Sequence, residues 1–300
     1  MTVYFATVLP GLEAVLVDEI KGKLSATDIE QTKRGKVFFA STNSVKGLKE
    51  LRTADNLFQF VAQFEIGPHK RDLTQLQEYM THIDIDFINK RGSFRVNASR
   101  KGNHTYTRFE AANAAMVGIA KRYPNWEIGA AGLQQTEFRL DIENNEALLS
   151  LRLTDATFRY RQSQRQFSRA ALLPTVAHAL VWLSSPHPED IFVDPCCGSG
   201  TILAERINYP VKRIMGGDIS EENATVTKEN LEYNVKVEVW DAGNLPLADN
   251  YANKVVTNLP FGRQVSSHED IQLLYGTVLK ELSRIMKTNG RAIILARETN

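Results

Sequence analysis

The stretch VDPCCGSGTILAE, Val193 to Glu205, sets an acidic residue, two adjacent cysteines and a glycine pair directly behind a short apolar run. Three chemistries are open to it: a thiol metal or redox centre, a nucleotide-binding turn, or a plain tight loop. The first is poorly supported. Cys196 and Cys197 are the only cysteines, and a bridge between sequence neighbours is too strained to serve as a scaffold disulfide. No further Cys or His stands nearby at the spacing of a tetrahedral zinc site. No metal is expected, and the thiols read as small buried side chains. Gly198 and Gly200, by contrast, let the backbone approach a ligand with no Cβ in the way.

The next polar residues of interest each follow a predicted strand. Asp218 lies 18 residues beyond Gly200, about the distance at which an acidic residue accepts the hydroxyls of a ribose in a doubly wound fold. Asp241 can accept from an adenine amino group. Asn258 opens TNLPFG, Thr257 to Gly262, where Pro260 lacks an N–H and restricts Leu259 to an extended conformation. That conformation can hold the Asn258 side chain and the Leu259 carbonyl as two acceptors for both hydrogens of one exocyclic amine, with Phe261 free to stack on its base. Singly, the glycine pair also fits a plain turn and Asn258 an incidental one. Four strand ends in sequence order are the stronger signal.

These residues need a scaffold, and the hydrophobic pattern predicts one. After a helix over 172–183, the pattern predicts strands at 191–193, 213–217, 237–240, 254–257 and 291–296. Helices are predicted from 201, over 221–233 and over 271–286. Such alternation, with apolar strands, is that of a parallel doubly wound sheet, whose ligands sit at the carboxyl ends of the strands. The first 65 residues read as strand 3–8, helix 11–24, strand 35–40, helix 45–51 and strand 56–64, an α+β layer of ferredoxin-like type. Gly67-Pro68 marks a break. A second α+β unit follows, with a helix from Asp72, strand SFRVNASRKG, helix 109–122 and strands TEFRLDIEN and EALLSLRLT. The predicted segments are therefore 1–66, 67–155, a connector at 156–171, and 172–300.

Composition bounds the function. Hydrophobic residues at 43% and charged residues at 24% suit a globular protein. No run of eighteen apolar residues is present and the first residues lack a secretory pattern, so a cytoplasmic protein is expected. The net charge of +1 conceals +5 over residues 1–170 and −4 over 171–300. The connector carries Arg159, Arg161, Arg165 and Arg169 with no acidic residue between them. It fits either a phosphate-contacting segment or a solvated hinge.

DPCCGSGT together with NLPFG resembles the class I S-adenosylmethionine-dependent methyltransferases that modify exocyclic amines of nucleic-acid bases. With YFATVLPGLEAVLVDEI, FRVNASRKGNHTYTRFEAANAAMVGIAK and RYRQSQRQFSRAALLPT, the chain resembles the THUMP-domain RNA methylases that make N2-methylguanosine in tRNA. The carboxylate of Asp194 suits the cationic end of S-adenosyl-L-methionine. The resemblance implies a Rossmann-like class I methyltransferase domain preceded by ferredoxin-like and THUMP domains. It implies cofactor binding by Asp194, Gly198, Gly200, Asp218 and Asp241, with Cys196, Ser199, Thr201, Ile219, Ala242 and Asn258 at the same turns. Asn258, Leu259, Pro260 and Phe261 would hold a flipped guanine. Candidate RNA contacts are Arg95, Arg100, Lys101, His104, Arg161 and Arg165. Such domains close with a further helix and antiparallel hairpin, so this one is expected to lack its last strands. The expected partner is tRNA, with rRNA the alternative, and the expected state a monomer. Adenine N6 or rRNA guanine methylation, and a catalytically silent RNA-binding protein, are the rival readings.

Overall fold

The computed structural model describes residues 1–161, 166, 171–231, 235–260 and 268–296. In chain order the elements begin β1 (Thr2–Thr7), α1 (Glu13–Lys23), β2 (Thr27–Lys33), β3 (Lys36–Ser41), α2 (Val45–Leu48) and β4 (Asn56–Glu65). Then come α3 (Leu73–His82), β5 (Ser93–Lys101), α4 (Arg108–Arg122), β6 (Glu127–Ile128), β7 (Thr136–Glu143) and β8 (Glu146–Arg152). The remainder is α5 (Pro174–Leu183), β9 (Ile191–Asp194), α6 (Thr201–Arg206), β10 (Arg213–Asp218) and α7 (Glu221–Asn230). It ends with β11 (Val235–Val239), β12 (Ala252–Asn258), α8 (His268–Ile285) and β13 (Met286–Leu295). The chain divides into two units. The first holds 1–7, 24–49 and 56–156, and the second 8–23, 50–55 and 157–300.

The first unit is built on one eight-stranded sheet in the order β2-β3-β1-β4-β8-β7-β5-β6. Strand β4 pairs antiparallel with β8, so both front segments share this sheet. The edge strand β2 was not predicted, because TDIEQTK is exposed along most of its length and shows no apolar face for a period-2 pattern to reveal. Helix α4 starts on a capping box in which Thr107 Oγ1 accepts from Glu110 N–H and Glu110 Oε2 accepts from Thr107 N–H. Its Gly118 lets α3 approach closely: a Cβ there would lie 2.4 Å from the Gln77 carbonyl oxygen.

The second unit holds a five-stranded sheet in the order β11-β10-β9-β12-β13, with every neighbouring pair parallel. Its inner strands β10, β9 and β12 are apolar on both faces, as a sheet covered on both sides requires. Phe192, Ile214 and Val256 pack with α5, α6 and α7, while their neighbours Val193, Met215 and Val255 pack with α8. Helix α7 ends at Asn230, earlier than its pattern predicts, and β13 starts at Met286 rather than Arg291. The ladder between β12 and β13 shifts register between Ala252 and Lys254, which absorbs the extra residues.

Two segments from early in the chain complete this unit through buried charge. Glu205, fully buried on α6, accepts from Arg52 Nε at 2.7 Å and Nη2 at 3.2 Å, and from Arg161 Nε at 3.2 Å. Burial opposes its ionisation, but Arg161 and Arg52 outweigh that and hold the carboxyl below the usual range. Glu19 of α1, also fully buried, accepts from Lys23 Nζ and from the backbone N–H of Arg52 and Thr53. His178 stands between Thr53 and Tyr209. Burial pushes it down to about 2, so it is neutral. Glu205→Gln leaves two guanidinium groups uncompensated. The expected loss in urea unfolding is about 3 kcal/mol, the low end for a broken buried pair because Arg52 is partly exposed. A loss under about 1 kcal/mol would mean that both arginines find other acceptors.

Candidate cofactor and active site

Strand β9 ends at Asp194, and the chain then turns through Pro195–Gly200 into α6. Gly198 and Gly200 take φ of +55° and +80°, which L side chains rarely adopt. Gly200 is also crowded, since a Cβ would meet Thr227 Cγ2 at 2.8 Å. The turn is held by Cys197 N–H donating to the Gly217 carbonyl, and by Thr227 Oγ1 donating to the Gly198 carbonyl at 2.6 Å.

Asp218, at the end of β10, accepts from Gly198 N–H at 3.0 Å through Oδ2, and from Ser220 N–H and Asn223 Nδ2 through Oδ1. A carboxylate offers about four lone-pair sites, so one remains for a ligand hydroxyl. Asp241 is exposed and accepts from Gly243 N–H at 2.8 Å. Ile219 is 75% exposed beside Asp218, an apolar surface suited to a base. Asn258 closes β12. Leu259 N–H donates to the Leu295 carbonyl, and the Pro260 carbonyl accepts from the Tyr275 hydroxyl at 3.2 Å.

These strand ends meet in a cavity of about 540 Å³. Cys196, Gly198, Ser199, Thr201, Asp218, Ile219, Asp241, Ala242, Asn258 and Pro260, all singled out from sequence, line it. Leu172, Ile202, Leu274 and Val278 supply apolar wall. Asp194 is buried rather than lining the cavity, and Leu259 points its side chain into the core around α8. Phe261 and Arg165 lie outside the described residues, as does Arg169.

Three buried polar atoms here have no hydrogen-bond partner among the described residues: Asp194 Oδ2, Ser199 Oγ and Asn258 Oδ1. Unmet buried polar atoms are costly, and such a cluster at a cavity fits a polar ligand. Burial, aided by Asp218, pushes Asp194 up to about 7 against the pull of Thr257 and Cys196 N–H. Burial and the neighbouring carboxylates push the Cys196 thiol up to about 12 and raise Cys197 as well, so both stay protonated and are poor nucleophiles.

Sequence reasoning missed the supporting shell. Trp240 follows β11, donates from Nε1 to the Pro195 carbonyl at 3.1 Å, and covers Gly217. Asn223 lies five residues past Asp218 on α7 and orients it. The spacing was visible, but only the fold pairs the two side chains.

The candidate RNA contacts are differently placed. Arg95 donates to the Gly129 carbonyl, Lys101 pairs with Glu143, and His104 Nε2 meets the Asn144 carbonyl. Arg161 is held by Glu205 and its guanidinium also donates to the Arg52 carbonyl. Arg159 donates to the Tyr160 hydroxyl. Arg100 is exposed.

Residues 161–300 match the UPF0020 family model, described as an RMKL-like methyltransferase domain. The crystal structure of TrmN from Thermus thermophilus superposes with a TM-score of 0.78 at 24% identity, over 97% of this chain and 88% of that one. The second unit has a Rossmann-like methyltransferase fold. The human tRNA (guanine(6)-N(2))-methyltransferase THUMP3 is 31% identical over 225 residues, 69% of this chain but 44% of that protein. The Thermus thermophilus tRNA (guanine(6)-N2)-methyltransferase is 26% identical over 97% of this chain and 88% of its own length. Among the described residues no helix is long and apolar enough to cross a membrane.

The second unit depends on the bare backbone at Gly217, where a Cβ would lie 2.1 Å from the Trp240 ring. Gly217→Ala is expected to push Trp240 off the Pro195 carbonyl and cost about 1–3 kcal/mol in thermal unfolding. Unchanged tryptophan fluorescence and melting would show that the ring yields without loss.

Proposed function

We propose that the chain is an S-adenosylmethionine-dependent RNA methyltransferase that forms N2-methylguanosine in tRNA. The observation that carries this reading is one cavity ringed in strand order by the turn after Asp194, by Asp218, by Asp241 and by Asn258 and Pro260. The names of the relatives support it. In this reading residues 1–66 form a ferredoxin-like layer and 67–155 a THUMP domain that grips the tRNA, with 156–171 connecting them to the catalytic domain at 172–300.

The residues present fit the cofactor. The Asp218 lone-pair site left open takes one ribose hydroxyl, and a second only if Asn223 yields. Ile219 and Ala242 receive the base, Asp241 its amino group, and the Asp194 carboxylate supplies negative charge for the cationic end. When bound, S-adenosylmethionine supplies an electrophilic methyl group on its sulfonium. Asn258 Oδ1, buried without a partner among the described residues, accepts from the substrate amine, with the Leu259 carbonyl as second acceptor. This holds the nitrogen lone pair in line, and the surplus proton on the methylated nitrogen leaves afterward to water, so alignment rather than a strong base is the protein's contribution. The guanine must leave its stack to reach them, and Phe261 is the proposed stacking partner.

Labelled methyl transfer to unmodified total tRNA, followed by nucleoside analysis, tests the reading. Label in N2-methylguanosine is expected; label in adenine, or only in rRNA, would replace it, and bound cofactor without transfer would favour a silent RNA-binding protein. Asn258→Ala is expected to abolish transfer while cofactor affinity changes less than about threefold. Loss of cofactor binding instead would move Asn258 to the cofactor site.

The ligand-free Asp194 carboxyl titrates at about 7, and a cationic ligand prefers the ionised form. Below that pH a proton must leave first. Affinity for S-adenosylmethionine should therefore rise from about pH 6 to about pH 8, and Asp194→Asn should bind more weakly with a flat profile. Calorimetry in buffers of different ionisation enthalpy measures the released proton, and an affinity independent of pH would sink this assignment.

A further inference from the structure

The side chain of Asn230, the last residue of α7, makes three hydrogen bonds in two directions. Its Oδ1 accepts from the backbone N–H of Gln166 at 2.9 Å, and its Nδ2 donates to the Gln166 carbonyl at 2.8 Å. The remaining Nδ2 hydrogen goes to the Ser199 carbonyl at 2.9 Å. Both donors of the carboxamide are thereby used. A side-chain amide pairing with both backbone groups of one residue does what a neighbouring strand would do, and it fixes that residue's position and orientation.

The two ends of this link differ in kind. Ser199 belongs to the glycine turn that lines the cavity, with its hydroxyl buried and unpartnered among the described residues. Gln166 is an exposed residue of the connector. The same connector is anchored upstream by Arg161 on Glu205, and downstream Ala171 and Leu172 line the cavity. One asparagine thus ties the Gln166 backbone to the turn that faces the cavity.

We infer that Asn230 is a positioning residue that couples the Gln166 backbone to the glycine turn, so that filling the cofactor cavity and holding Gln166 in place favour each other. This rests on the proposed cofactor site. Linkage makes the effect reciprocal: a ligand that orders the Ser199 turn stabilises the Gln166 pairing by the factor by which that pairing tightens the ligand. Asn230→Ala removes all three bonds. Asn230→Asp keeps the acceptor for Gln166 N–H, but sets a carboxylate against the two carbonyl oxygens it replaces as donor.

The test uses the full chain and S-adenosylhomocysteine as probe. Calorimetry gives its affinity, and hydrogen exchange reads the Gln166 amide with and without it. The expected result is slower exchange at Gln166 on binding in the parent protein, with affinity about five- to tenfold weaker and that response lost in both variants. A structural role alone would lower the melting temperature yet leave the ligand response at Gln166 in place. That outcome, or a parent protein that binds the probe with no change at Gln166, overturns the coupling. Failure of the parent protein to bind the probe at all overturns the cofactor reading and the coupling with it. The aspartate variant keeps the question answerable where the alanine variant does not fold.

Discussion

Strand β9 sits at the centre of the five-stranded sheet, with β10 on one side and β12 on the other, and the chain's direction of travel across the sheet reverses between them. Phe192 and Val193, adjacent in β9, pack into different cores on the two faces, so the helices that follow the strands are divided between faces. Where that division falls, the turns after the strands separate and leave a crevice at their carboxyl ends. Every residue of the proposed cofactor site stands on the rim of that crevice or directly beneath it.

The carboxylates on this rim are prepared for different tasks by their neighbours. Asp218 is surrounded by donors from Gly198, Ser220 and Asn223, which fix its orientation. Asp194 is buried with one oxygen unmet, which makes its charge expensive until a cation compensates it. The fold thus holds one preorganised acceptor and one electrostatically unsatisfied group a short distance apart in sequence space. Beneath them the turn is pinned from α7 by Thr227 and Asn230, and from the loop after β11 by Trp240.

Charge elsewhere is spent on construction. The arginines of the connector read in sequence as a run of free cations, but Arg161 is shared between Glu205 and the Arg52 carbonyl. Lys36, Arg139 and Arg152 of the first unit pair with Asp141 and Glu137. A cation whose partner lies far away in the chain looks free in sequence, so charge counting overstates the surface available to a polyanion.

The parallel sheet, its strand ends and the order of Asp194, Asp218, Asp241 and Asn258 were legible in the sequence. Period-2 and period-3.6 patterns and turn residues are local signals, and a doubly wound topology turns their order into a position on the rim. Hidden were β2, whose exposed residues carry no pattern, and the placement of 8–23 and 50–55 in the second unit, which depends on Glu19 and Glu205 meeting partners tens to more than a hundred residues away. Likewise the pairing of Asn223 with Asp218, of Trp240 with Gly217, and of Asn230 with both Ser199 and Gln166 was decided only by packing. Residue types and spacing determined what chemistry was available. Which polar groups are spoken for and which are left for a ligand depends on burial and on distance through space, and those exist only once the chain has folded.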